Sequence, residues 1–237
     1  MGGREKKYRK SFVLSLGGSI IIPDGGFNIQ FLKDFEAFLR KKIAAGLRFF
    51  IVCGGGATCR KYRDAADMVM GGKVSNEDLD WLGVHSTRLN SHLIRTIFRD
   101  IAYRRVIDNY DVIDKRPVEP IVLASGWKPG WSTDYNAVLL AQDYGVEKII
   151  NLTNVSYVYD KDPKKYKEAK PKERLTWDEL IKIVGTKWIP GMYTPFDPVA
   201  AQLAKRLGLE VVVTDGKDLK NLDNILEGRR FKGTVIK

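Results

Sequence analysis

The chain reads as an α/β protein: a three-layer sandwich whose central, mostly parallel sheet is covered by helices on both faces. Three observations predict this. The strand-length apolar runs at 11–16, 48–53 and 121–124 are nearly continuous, the pattern of strands buried on both sides. Longer segments with apolar residues at helical spacing lie between most of them. Each of the three runs also ends in a glycine-bearing turn: Gly17-Gly18-Ser19, Gly54-Gly55-Gly56 and the loop 126–134.

In chain order, the first strand at 11–16 enters Gly17-Gly18-Ser19. Phe31, Phe35, Phe38, Leu39 and Ile43 then mark a helix up to Gly46. The second strand, 48–53, enters Gly54-Gly55-Gly56, and a helix follows over 57–70 until Gly71-Gly72 breaks it. Ser75-Asn76-Glu77-Asp78 has the form of an N-cap and predicts a long helix reaching about residue 105. Strands are expected near 111–113 and 120–124.

The second half repeats the rhythm with a helix at 134–144, a strand at 147–153, a short segment at 156–159 and a lysine-rich loop. Thr176-Trp177-Asp178-Glu179 is a capping pattern before the apolar run 180–184. Asp197-Pro198 opens a helix to 207, followed by a strand at 210–214, a helix at 219–226 and a last strand at 234–236. No stretch is long and polar enough to serve as a linker, so 1–237 is expected to form one domain with two lobes on one sheet.

Composition narrows the function. The net charge of +11 is densest around 4–10 and 161–172 and favours anionic ligands, while 44% hydrophobic residues support a sizeable core. No zinc-finger spacing, helix-turn-helix signature or interleaved aromatic RNA motif accompanies the charge, so nucleic acid is not expected as a partner. Cys53 and Cys59 are too few and wrongly spaced for a metal or disulfide framework, which predicts packing roles and a reducing cytoplasm. The first six residues lack an apolar signal core, and no apolar stretch is long enough to cross a membrane.

In such sheets ligands gather at the carboxyl ends of the strands, where all three glycine-bearing turns are expected. Glycine lets backbone N–H groups approach phosphate oxygens closely. The loop 126–134 adds the Ser132 and Thr133 hydroxyls at a helix start, an arrangement that serves equally as a helix cap or as an oxyanion site. Arg60, one turn into the second helix, is a surface charge if taken alone. Beside the triple glycine it becomes a candidate phosphate ligand. His85 and His92, seven apart on one predicted helix, read as surface or interface residues.

These motifs, in this order, resemble a family. Gly17-Gly18-Ser19, then 54–62 (GGGATCRKY), then 129–134 (PGWSTD), then Thr153-Asn154-Val155 with Tyr159 and Asp162-Pro163, then Asp197-Pro198-Val199-Ala200-Ala201, are similar to the amino acid kinase superfamily. Within it they most resemble UMP kinases of the archaeal type, over nearly the whole chain. The resemblance implies an ATP-dependent phosphorylation of UMP to UDP, with ATP and Mg2+ as cofactors. It also implies an acceptor lobe at about 1–145, an ATP lobe at about 146–237 and a homo-oligomer, commonly a hexamer.

Residue by residue, the resemblance implies ATP contacts at Gly18, Ser19, Gly56, Arg60, Thr153, Asn154, Tyr159 and Asp162. It implies UMP contacts at Gly17, Gly55, Asp80, Trp127, Pro129, Gly130, Trp131, Ser132 and Thr133, with Asp80 on the ribose. Asp197 would organise the lysines or magnesium around the transferred phosphoryl, with Asp134 at the helix start beneath it as a second catalytic candidate, and helix capping is the plainer role for both. Two departures stand out. Ser15 occupies the position of a strand-one lysine that many members carry and the archaeal-type branch lacks, and Ser156-Tyr157 replaces the usual Asp-Gly. Lys128 is the candidate for the missing cation, with a solvated loop lysine as its plainer reading. Trp127 and Trp131 could pack the loop or stack on a base. A kinase for another small phosphate, such as isopentenyl phosphate, and a non-catalytic nucleotide-binding or storage protein on the same fold are the alternatives.

Overall fold

The computed structural model describes residues 8–112, 117–163, 165–187 and 194–237. The basic run at the start therefore lies mostly outside the described residues, as do its first six positions.

The first half runs β1 (Lys10–Leu16), α1 (Gly18–Ile21), α2 (Ile29–Ala44), β2 (Leu47–Cys53), α3 (Gly56–Met70), α4 (Asn76–Ile97), β3 (Ala102–Ile107) and β4 (Ile121–Ala124). The second half runs α5 (Thr133–Asp143), β5 (Lys148–Thr153), β6 (Val158–Tyr159), β7 (Pro171–Lys172), β8 (Arg174–Leu175), α6 (Trp177–Val184), α7 (Pro198–Arg206), β9 (Glu210–Asp215), α8 (Leu219–Leu226) and β10 (Thr234–Ile236). Among the described residues one sheet has the order β3-β4-β2-β1-β5-β9-β10-β8, and β6 and β7 form a separate hairpin. β1 pairs parallel with both β2 and β5, β2 with β4, and β5 with β9. β10 runs antiparallel to β9.

Strand periodicity divides the core into two layers. Phe12, Leu14 and Leu16 of β1 point to one face, where α2 brings Phe31, Phe35 and Leu39, α4 brings Ile94, and α8 brings Leu222 and Ile225. Val13 points to the other, against Ala137 and Val138 of α5, Leu180 of α6 and Ala200 and Ala204 of α7. The expected three-layer α/β sandwich is thus present. By the same alternation Ser15 shares the side of Val13 and faces the layer that holds α5 and α7.

The structure departs from the sequence expectation at two elements and adds three short ones. The long helix stops at Ile97, with Phe98 as its C-cap, and residues 102–107 form β3 beside β4. No glycine or proline marks this break; buried Phe98, Ala102 and Tyr103 pull the chain into the sheet. The strand expected near 111–113 is absent over its described part. Asp111 N donates to the Asn109 side chain at 2.8 Å, a local turn, and Val112 is exposed; Ile113 lies outside the described residues. The unexpected elements are α1, a single turn directly after Gly17, and the two-residue strands β7 and β8, which lie where a loop was expected.

Candidate active site

Parallel pairing puts the carboxyl ends of β1, β2, β4, β5 and β9 along one edge, and the order reverses there, with β5 placed on the far side of β1 from β2. That is the switch point at which open α/β sheets take ligands. The first two glycine loops interlock at this edge. A Cβ on Gly18 would lie 2.1 Å from Gly56 N and 2.6 Å from Gly54 O, so the two backbones touch with no room for a side chain. Gly56 is held at φ +64°. Gly17 N–H bonds Leu152 O and Gly54 N–H bonds Leu16 O, each at 2.9 Å, which ties the loops to the strands.

A buried polar stripe on α4 holds these loops from behind. Asn90 donates to Gly54 O at 2.7 Å and to Gly55 O at 3.1 Å. Ser91 donates to Ala124 O at 2.7 Å, and Thr87 Oγ1 accepts from Gly126 N at 2.8 Å. Sequence reasoning missed these residues. Their signal was a polar cluster at 86, 87, 90 and 91, one face of a helix that had to pack on apolar strands.

Arg60 reaches across the first loop, donating to Ser19 Oγ at 3.1 Å and pairing with Asp24 at 2.6 Å. The structure therefore brings Gly18, Ser19, Gly54, Gly55, Gly56 and Arg60 together. Asp24, exposed and absent from the sequence-based set, is the partner that holds the guanidinium.

The loop after β4 has its own supports. Ser132 is the N-cap of α5, its hydroxyl accepting from Tyr135 N at 3.1 Å. Asp80 Oδ2 accepts from Gly130 N at 2.8 Å, so the carboxylate expected on a ribose also anchors the loop. The Lys128 ammonium lies 3.9 Å from the ring centre of Trp127 and 4.7 Å from that of Trp131. Thr153 and Asn154 sit at the end of β5, joined side chain to side chain at 3.4 Å. Tyr159 lies in the β6–β7 hairpin, which Val158 N fastens to Thr234 Oγ1 at 2.8 Å, and Asp162 O accepts from Tyr166 N just beyond it.

Asp134, in the first turn of α5, and Asp197, just before α7, meet. Asp197 is the N-cap of α7, with Oδ1 accepting from Ala200 N at 2.6 Å, and its own N–H donates to Asp134 Oδ2 at 3.1 Å. The capping role therefore holds for Asp197, whereas Ser132, not Asp134, caps α5. Asp134 Oδ1 takes the Ser15 hydroxyl at 3.1 Å. Burial and the neighbouring Asp197 charge push Asp134 up to about 7, against the pull of Asp197 N–H and Ser15. Burial also raises Asp197, opposed by Ala200 N–H and the Ser132 hydroxyl. Among the described residues no lysine or arginine pairs with either carboxylate.

Two adjoining, cation-poor carboxylates, Asp197 buried and Asp134 half-buried, fit a hard divalent ion. No group of three or more acidic, histidine or cysteine side chains converges among the described residues, so phosphate and water oxygens would complete a magnesium shell. No helix of the described residues is long and apolar enough to cross a membrane.

Comparison with known proteins identifies the family. The profile of the amino acid kinase family matches residues 119–215. The uridylate kinase of Methanobrevibacter smithii is 32% identical over 226 residues, covering 94% of this chain and 98% of that one. The uridylate kinase of Methanoculleus marisnigri is 35% identical over 229 residues, 96% of this chain and 95% of that one. The crystal structure of uridylate kinase from Archaeoglobus fulgidus superposes with a TM-score of 0.80 at 29% identity, over 95% of this chain and 99% of that one. The chain therefore belongs to the amino acid kinase family, within its uridylate kinase branch.

Proposed function

We propose that this protein transfers the γ-phosphoryl group of ATP to UMP, giving ADP and UDP. The observation that carries the reading is the Asp134–Asp197 pair, set beside interlocked glycine loops at the switch point of the sheet. Near full-length similarity to uridylate kinases supports the choice of acceptor.

Phosphoryl transfer asks the protein to align donor and acceptor and to stabilise spread negative charge. A UMP phosphate oxygen attacks the γ-phosphorus, a new P–O bond forms, and the bond to the β,γ-bridging oxygen breaks, leaving on ADP. Gly18, Ser19, Gly56 and Arg60 take the ATP phosphates through N–H groups, a hydroxyl and the guanidinium; Thr153, Asn154, Tyr159 and Asp162 take its nucleoside side. Gly17, Gly55, Asp80 and the loop 127–133 take UMP, so the acceptor lobe is about 1–145 and the ATP lobe about 146–237. Asp134 and Asp197 would hold magnesium, which, when bound, neutralises charge on the donor phosphates. Lys128 supplies a cation from the acceptor side.

The work of the protein fits a place in pyrimidine nucleotide synthesis in the cytoplasm. Exposed Tyr62, Met68 and Val69 on α3, with Trp81 and Leu89 on α4, suit a homo-oligomer, hexameric by family resemblance.

A coupled ADP-release assay across UMP, CMP, dUMP and isopentenyl phosphate tests the reading. UMP should turn over fastest. Equal turnover of every acceptor, or none of UMP, overturns it.

A further inference from the structure

Pro129 and Gly130 turn the loop after β4 back on itself. Proline fixes its own φ, and Gly130 sits at φ +80°, the combination of a tight Pro-Gly reversal. The reversal brings Trp127 and Trp131 together, ring centres 4.8 Å apart and planes at 88°. Trp131 meets Tyr135 of α5 edge to face at 4.6 Å, and Trp127 leans on Tyr110 at 5.9 Å. Two braced indoles thus form a corner, and the Lys128 ammonium occupies it. Among the described residues no carboxylate pairs with that ammonium, and Asp80 Oδ2, at the same loop, is engaged by Gly130 N.

Resting on the reading that this loop takes the acceptor, we propose that Trp127 and Trp131 are positioning residues that store the Lys128 ammonium for the acceptor's phosphate. A lysine free in a loop samples many rotamers and loses that freedom when it binds. Parked on two ring faces, Lys128 has lost most of it beforehand. The ring contacts are weaker than a charge-assisted bond from an ammonium to a phosphate oxygen, so a phosphomonoester draws the lysine off. A neutral nucleoside offers no such exchange. The corner therefore selects nucleoside monophosphate over nucleoside, and the ring faces turned to Lys128 are unavailable for stacking on the uracil until the lysine leaves.

The test is a double-mutant cycle on UMP turnover, paired with tryptophan fluorescence during titration with UMP or uridine. Lys128→Met should lower kcat by roughly a hundredfold with little change in KM for ATP. Trp131→Leu should lower kcat/KM for UMP by roughly tenfold, Trp131→Phe should recover most of it, and Trp131→Leu should add less than about twofold in the Lys128→Met background. UMP, but not uridine, should change the fluorescence of the wild-type protein, and Lys128→Met should abolish the response. Equal Trp131→Leu losses with and without Lys128, or equal fluorescence responses to UMP and uridine, overturn the inference. Failure of the wild-type protein to phosphorylate UMP would instead sink the functional reading, and the fluorescence pair would still decide the role of the corner.

Discussion

The Ser15 hydroxyl donates to Asp134 Oδ1 across 3.1 Å, joining the central strand to the first turn of α5. A neutral donor therefore faces the half-buried acid. Burial first, and the neighbouring Asp197 charge second, hold Asp134 up to about 7. Among the described residues no lysine or arginine offsets the charge of this pair.

Stability should record that charge. Asp134 titrates at about 7 when folded and at about 3.9 when unfolded, so between those values the folded state binds more protons. Its contribution is full below about pH 4, declines as pH rises, and is gone above about 7. Asp134→Asn removes this slope. Melting curves from pH 5 to 8 should show the wild-type protein losing more Tm than the variant; parallel profiles would show that Asp134 does not titrate in this range.

Arg60 tests the phosphate grip. Its contacts with Ser19 and Asp24 place the guanidinium over the first glycine loop, whereas Lys61, one position on, is exposed. A charge-assisted contact is worth about 1.5–3 kcal/mol, so Arg60→Ala should reduce kcat/KM at least about tenfold with the fold intact. Lys61→Ala should be nearly silent. Similar small losses in both would return Arg60 to the solvated surface.

Asp80, the proposed ribose ligand, also anchors the loop after β4. Its Oδ2 anchors Gly130 N, which leaves Oδ1 to take a ribose hydroxyl. Asp80→Asn keeps the shape and one acceptor but loses the charge, and a hydrogen bond to a charged group is worth about 1.5–3 kcal/mol. The KM for UMP should rise several-fold while that for ATP stays within about twofold. Equal weakening of both nucleotides would assign Asp80 to loop structure alone.

What the sequence made legible was whatever local chemistry dictates. Continuous apolar strands at 11–16 and 48–53, glycines at their ends, and caps such as Thr176 and Asp197 each act within a few residues, and their elements stand where expected. The end of α4 was illegible because tertiary burial of Phe98 and Tyr103, with no breaker residue, sets it. The same holds for the site. Gly18 and Gly56 could be read as loop residues, yet only the packing of two strands side by side shows that each excludes a side chain on the other. Asp24, Asn90 and the Ser15–Asp134 bond depend on contacts between elements far apart in sequence, for which no local pattern exists.

The loop interlock gives the sharpest separation of fold from function. An alanine Cβ at Gly18 would sit 2.1 Å from Gly56 N and 2.5 Å from Gly54 C, both backbone atoms that cannot swing aside, so the two loops must part. Gly25, in the same connection between β1 and α2, has nothing within 4 Å of its Cβ position and no positive φ. Overpacking typically costs about 1–3 kcal/mol, and in a chain of this size each kcal/mol lowers Tm by roughly 2–4 °C. Gly18→Ala should therefore lower Tm by several degrees, and because parted loops misdirect the N–H groups proposed to take the donor phosphates, it should cost ATP affinity more than UMP affinity. Gly25→Ala should leave both within error. Thermal melts and KM values for the two substrates check this, and a Gly18→Ala protein as stable and active as Gly25→Ala would mean that the loops need not touch for the site to work.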